Sequence, residues 1–213
     1  MNLHAVDVGF GATKGLALHD KRIEFRSVIG DFHPVAFASG MNASSAIAIE
    51  YNGKRSYIGE AALRQSSARA TVDTERTITT EGMTLLVTAL ALLSDKLANN
   101  TNLVVGLPVR HYESMKNQYL ETVQNVHMVD MLSVTGILQE RRYISVDAAK
   151  VLPQPMGAFF DLIMDKNGGL VDEELAKGKV GIIDIGYNTL DLARADNLEY
   201  INPRSTSFAG QGM

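Results

Sequence analysis

One pattern occurs twice in this chain, and it restricts the possible folds more than any other feature. Near the start stands Val6-Asp-Val-Gly-Phe-Gly-Ala-Thr-Lys14, and near the end Val180-Gly-Ile-Ile-Asp-Ile-Gly-Tyr-Asn-Thr-Leu-Asp191. Each runs apolar, Asp, apolar, Gly, aromatic, small, which reads as a strand entering a hairpin turn. Matching hairpins near the two ends predict two similar lobes. An Asp inside an apolar strand is costly when buried without compensation, so its duplication favours a shared ligand over coincidence. Asp7 and Asp184, each just before its turn, are expected to face each other across a cleft. Glycine at 9, 11 and 186 removes side chains where the backbone would approach a ligand, and the amides of such turns suit phosphate oxygens. The two carboxylates would hold a hydrated Mg²⁺ through water, since that ion keeps several waters and takes one or two carboxylates plus phosphates. Thr13, Lys14, Asn188 and Thr189 would add donors to the phosphates.

The rest of the sequence removes competing classes. With 213 residues, 46% of them hydrophobic, the chain can bury a real core as one large domain or two small ones. It has no cysteine, so disulfides and thiolate metal sites are out and a reducing compartment, the cytoplasm, is expected. The longest apolar stretch, Leu85 to Leu93, is far short of the roughly 20 residues of a membrane span, and no basic-then-apolar leader opens the chain, so no membrane is expected. Acidic residues outnumber basic ones by 24 to 20 and no run of Lys or Arg occurs, which disfavours direct nucleic-acid binding. His4, His19, His33, His111 and His127 lack metal-ligand spacing.

Along the chain, Leu3–Val8, Thr13–Leu18 and Ile23–Val28 predict a three-stranded antiparallel meander. Between about 30 and 75 a Gly-, Ser- and Asn-rich stretch suggests a small inserted subdomain, with a hairpin turning at Asn52-Gly53. Apolar spacing predicts helices over Glu81–Leu97 and Tyr112–Val123, with an apolar strand at Asn102–Leu107 between them and another strand around Arg142–Val146. A helix over Met156–Met164 follows, with Pro155 near its first turn. The polar, Gly-containing segment Asp165–Lys179 reads as a hinge or linker.

The paired hairpins resemble the two phosphate motifs of the actin and sugar kinase superfamily of ATPases. Gly106-Leu-Pro-Val-Arg-His-Tyr112 and Leu152-Pro-Gln-Pro-Met-Gly-Ala158 resemble, more narrowly, the prokaryotic actin-like ATPases of the ParM, StbA and archaeal actin-homologue type. The resemblance implies an α/β protein of the ribonuclease-H-like actin ATPase fold, a mixed sheet with flanking helices. Residues 1–165 would form lobe I, and 166–213 the start of an incomplete lobe II, because the family's second lobe continues beyond the second hairpin whereas this chain stops at Ser207-Phe-Ala-Gly-Gln-Gly-Met213. Asp7 would organise Mg²⁺, with Gly9, Gly11, Thr13 and Lys14 around the β- and γ-phosphates, and Asp184, Gly186, Asn188 and Thr189 would close the other side. Gln154 falls where the family places the residue that positions the attacking water; an amide has no useful basicity, so its role would be orientation.

The implied function is a filament-forming cytoskeletal ATPase that hydrolyses ATP (or GTP), serves plasmid or DNA segregation, associates with itself and reaches DNA through an adaptor protein. Two other readings stay open: a kinase of the same superfold acting on a sugar or acid, and a nucleotide-binding scaffold that does not hydrolyse.

Overall fold

A computed structural model of the protein describes residues 2–35, 45–66, 79–94 and 97–210. The chain divides into two compact units, Met1–Val105 with Gln118–Lys150, and Gly106–Asn117 with Val151–Met213.

In the first unit the predicted meander forms from β1 (Asn2–Val8), β2 (Ala12–Ala17) and β3 (Arg22–Arg26). With β4 (Ile29–Asp31), β5 (Ile47–Tyr51), β6 (Lys54–Ile58), β7 (Ala98–Leu107), β8 (Val126–Leu132) and β9 (Leu138–Pro153) it joins a nine-stranded sheet in the order β3-β2-β1-β7-β9-β8-β5-β6-β4. The sheet is mixed: β1 and β7 run parallel, while β1–β2 and β8–β9 are antiparallel. The described part of the segment expected at 30–75 supplies β4 to β6 at the far edge; residues 36–44 and 67–75 of it lie outside the described residues. Asn52 and Gly53 sit at φ +50° and +74°, the left-handed pair that a two-residue hairpin turn requires.

One helix carries most of the core. In α2 (Thr80–Leu93) the side chains of Leu85, Leu86, Val87, Ala89 and Leu90 are all fully buried, so the helix is enclosed on every side. Thr79 caps its start by accepting from the Gly82 amide at 3.3 Å, and the Arg142 guanidinium donates to the Ser94 carbonyl at its end. The helix stops at Leu93, short of the expected Leu97. A second cluster, Val28, Ala48, Tyr57, Ala61, Ala62 and Leu132, gathers α1 (Glu60–Gln65) against β5, β6 and β8.

Within this unit His127 is buried between α3 (Val109–Val123) and β5. Its Nε2 donates to the Val123 carbonyl at 3.0 Å, which leaves Nδ1 to accept from the Tyr51 hydroxyl at 3.2 Å. That pairing needs the neutral ring, and burial pushes the His127 pKa below its usual value against a smaller opposing effect of the Val123 bond. The unfolded chain therefore binds a proton at higher pH than the folded one. The stability His127 contributes is complete above the unfolded pKa of about 6.5 and is lost as pH falls from there through the folded value. Denaturant midpoints recorded between pH 7.5 and 5 are expected to fall in the wild type, and His127→Gln is expected to flatten that slope while lowering stability at pH 7.5.

In the second unit β10 (Lys179–Ile185), β11 (Thr189–Asp196), β12 (Glu199–Tyr200) and β13 (Thr206–Ala209) make a four-stranded sheet, with β11 pairing to the other three. The helix α4 (Gln154–Ile163) packs Met156, Phe159 and Ile163 onto Val180, Ile182 and Ala195. The stretch expected as a linker is folded. Asp165 Oδ1 accepts from the amides of Asn167 and Gly169, both at 2.8 Å, and Asp172 caps the short helix α5 (Glu173–Lys177) by accepting from Leu175 N at 2.8 Å. Ala176 of α5 is completely buried against the α4 cluster. Polar composition there reflects turn and cap chemistry rather than a lack of structure.

Candidate functional site

The sequence repeat is a structural repeat. In the first hairpin Gly9 N donates to Ala12 O at 3.1 Å, and in the second Gly186 N donates to Thr189 O at 2.9 Å. Both turns therefore hold two residues, Phe10-Gly11 and Tyr187-Asn188. The registers agree as well: Asp7 lies opposite Lys14, and Asp184 opposite Asp191. The next strand pins each turn at the equivalent carbonyl, Ser27 N donating to Gly11 O at 3.1 Å and Gly210 N to Asn188 O at 2.8 Å.

These turns need glycine for space. A Cβ on Gly9 would stand 2.8 Å from the Ala12 carbonyl oxygen, and one on Gly186 would stand 3.3 Å from that of Thr189. Neither residue has positive φ. The closing bond of the first hairpin thus excludes a side chain at Gly9, that of the second would be crowded by one at Gly186, and both turns carry bare backbone there.

Strand alternation decides which side chains are available. Val6 and Val8 face the core, so Asp7 between them is exposed, and the burial cost expected for a carboxylate in an apolar strand does not arise there. Lys14, its cross-strand partner, is exposed as well. Thr13, expected among the phosphate donors, is wholly buried, and its hydroxyl pairs with Ser27 Oγ at 2.8 Å. Register puts Thr13 opposite Val8, on the inward side of the hairpin, so it braces the turn from within.

In the second unit Asp184 is half-buried, and Asn188 and Thr189 are partly exposed. Asp191, the last residue of the second repeat, is the buried carboxylate, with only 1% of its surface exposed. Its pKa is raised, first by burial and further by the charge of Asp184, against a hydrogen bond to Ser207. Its Oδ1 has no hydrogen-bond partner among the described residues. The signal that would have found it is the register of the repeat, which sets residue 191 beside Asp184. Gln154 is the first residue of α4, partly exposed, and its backbone is fixed between Pro153 and Pro155.

Asp7 and Asp184 carry, each within its own unit and at equivalent hairpin positions, the hard carboxylate oxygen that a hydrated Mg²⁺ accepts, and in the second unit the Asp191 oxygen without a partner among the described residues leaves room for a further hydrogen bond from water. Among the described residues no group of three or more His, Cys, Asp or Glu gathers closely enough to hold an ion by direct ligation.

Two hairpins of the same geometry, each carrying an Asp before a bare glycine turn, thus stand on an α/β scaffold, one in each unit. The model for the N-terminal domain of actin-like proteins matches residues 5–157, and the chain belongs to that family. Among solved structures it is similar to an apo psk41 ParM protein, with 20% identity, a TM-score of 0.76, and coverage of 99% of this chain and 66% of that one. A 15-stranded ParM filament from Clostridium botulinum is similar at 25% identity and TM-score 0.76, over 100% of this chain and 65% of that one. The archaeal actin homologue Ta0583 is similar at 22% identity and TM-score 0.79, over 100% and 63%. The chain thus spans about two thirds of the length of these structures. Compared by sequence with curated proteins, it matches none. Among the described residues no helix is long and apolar enough to cross a membrane.

Proposed function

We propose that this chain is the nucleotide-binding part of an actin-like ATPase that assembles into filaments with Mg-ATP and hydrolyses the nucleotide to destabilise them. The observation that carries this reading is the duplicated hairpin, with the same turn closure, the same Asp position and the same pinned carbonyl in both copies. Filament formation is supported by the likeness to a ParM filament, and nucleotide use by the likeness to a Bacillus thuringiensis ParM hybrid protein with ADP.

In this reading Asp7 and Asp184 hold the waters of Mg²⁺, which when bound neutralises charge on the phosphate oxygens. The turns at Gly9, Gly11 and Gly186 present bare backbone, the Gly9 and Gly186 amides themselves closing the hairpins, and Lys14, Asn188 and Thr189 add side-chain donors. Thr13 supports the first turn through Ser27 rather than reaching the phosphates. Gln154 orients the attacking water. The cellular role is DNA or plasmid segregation in the cytoplasm, with DNA reached through an adaptor, in keeping with a net charge of −4.

The test is sedimentation and phosphate release by the full-length protein with Mg-ATP, Mg-GTP and no nucleotide, beside a panel of sugars and acids as phosphoryl acceptors. Nucleotide-dependent pelleting with phosphate release to water is expected. Phosphorylation of a metabolite without pelleting would replace this reading with the kinase.

A further inference from the structure

In the second unit two carboxylates stand side by side. Register sets Asp184 of β10 directly opposite Asp191 of β11, and Asp191 directly opposite Ser207 of β13, so the three side chains form one row on one face of the sheet. Like charges directly opposed destabilise a strand pair, and a buried carboxylate without compensation costs more still. Asp191 is such a carboxylate. It is 99% buried, and although Ser207 hydrogen-bonds to it, its Oδ1 has no partner among the described residues.

The surrounding elements supply no counter-charge. Along β10, β11 and β12 the same face carries Val180, Ile182, Ala193, Ala195 and Tyr200, whereas Lys179 and Arg194 fall one residue out of step and lie on the other face. The helix that covers this face, α4, has the sequence Gln-Pro-Met-Gly-Ala-Phe-Phe-Asp-Leu-Ile and contains no Lys or Arg either. Compensation for the pair therefore comes from outside these elements. Asp184 is partly exposed, so the row is open to solvent at that end and closed at Asp191. A hydrated divalent cation suits it: the ion offsets both charges, and its bound waters are donors, which is what an unpartnered carboxylate oxygen lacks.

We propose that Asp191 is a second holder of the cation's water shell in this unit, acting with Asp184 as one paired acceptor, Asp184 from the solvent side and Asp191 Oδ1 from within. This deepens the reading of Asp184 as a holder of Mg²⁺ and rests on it.

The test uses Mn²⁺, which takes the same oxygen ligands as Mg²⁺. It is titrated into the full-length protein loaded with ADP and freed of excess nucleotide, and the free ion is read by electron paramagnetic resonance. Asp191→Asn keeps the size of the side chain and an oxygen for Ser207. It is expected to melt no lower than the wild type in EDTA, because a repulsion is relieved, and to bind Mn²⁺ about ten- to a hundredfold more weakly. Wild-type Mn²⁺ affinity in Asp191→Asn overturns the proposal. So does weaker affinity joined to a lower melting temperature in EDTA, which would make Asp191 a packing residue. Asp184→Asn keeps the two failures apart. If it binds Mn²⁺ as the wild type does, the assignment of Asp184 to the cation falls and the pairing with it; if it loses affinity while Asp191→Asn does not, only the pairing falls.

Discussion

In Mg-ATP the Gln154→Ala variant of the full-length protein is expected to pellet as the wild type does while releasing phosphate about a hundredfold more slowly, and Asp184→Ala is expected to lose both properties. The difference follows from what each side chain can do. Gln154 is neutral and stands on the first turn of α4, its backbone set by flanking prolines. It can orient a water but cannot hold a phosphate's charge, so removing it should spare binding. Misplacing an attacking group by about 1 Å costs on the order of 10²-fold in rate, which is about 2.7 kcal/mol of barrier. Asp184 carries charge and faces the buried Asp191 across the strand pair. On the proposed reading, its removal takes away one carboxylate that holds the cation's waters, and with it the nucleotide's anchor.

A folding defect is a poor explanation for that loss, because Asp184 raises the pKa of its buried neighbour and its removal relieves a repulsion between like charges. The melting curve of Asp184→Ala should therefore stay close to that of the wild type. Wild-type release by Gln154→Ala would remove that residue from hydrolysis, and wild-type pelleting by Asp184→Ala would remove Asp184 from the nucleotide site.

The hairpins were legible in the sequence because their signals are local. Glycines two residues after each Asp mark the turns, and Asn52-Gly53 names its own geometry. The direction of individual side chains was less legible where apolar residues occupy both faces of a strand. Ala5-Val-Asp-Val8 reads as buried throughout, yet only alternate positions enter the core, so Asp7 is exposed. The same period of two, applied from Val8 through the turn, assigns Thr13 inward and Lys14 outward. Asp191 could not be ranked from its strand alone, because its burial depends on β13, whose Ser207 lies opposite it. The folded segment between Asp165 and Lys179 escaped notice for another reason. Its order comes from side-chain caps and one buried alanine, and apolar periodicity does not register these.

Truncating Leu86 to alanine should cost the first unit about 3–5 kcal/mol, because a leucine removed from a site that cannot collapse loses both its transfer energy and the packing around the cavity. Leu86 is fully buried in α2, whose neighbours along the helix are buried as well and which packs on β1, β2, β3 and β8 of the large sheet, so no neighbour is free to move in. At roughly 2–4 °C per kcal/mol for a chain of this size, the thermal midpoint should fall by about 6–20 °C. Leu92, only partly buried in the same helix, sets the comparison: Leu92→Ala should lose well under half as much, and equal losses would mean that α2 is not enclosed. The hairpin bearing Asp7 rests on this helix, since a Cβ on Gly15 of β2 would stand 2.9 Å from Leu93 Cδ1. Leu86→Ala should therefore weaken nucleotide binding near its lowered midpoint, much as a change at Asp7 would. Cooling separates the two, because at 10 °C the core variant refolds its hairpin and regains wild-type affinity, whereas a protein without the Asp7 carboxylate has nothing to regain.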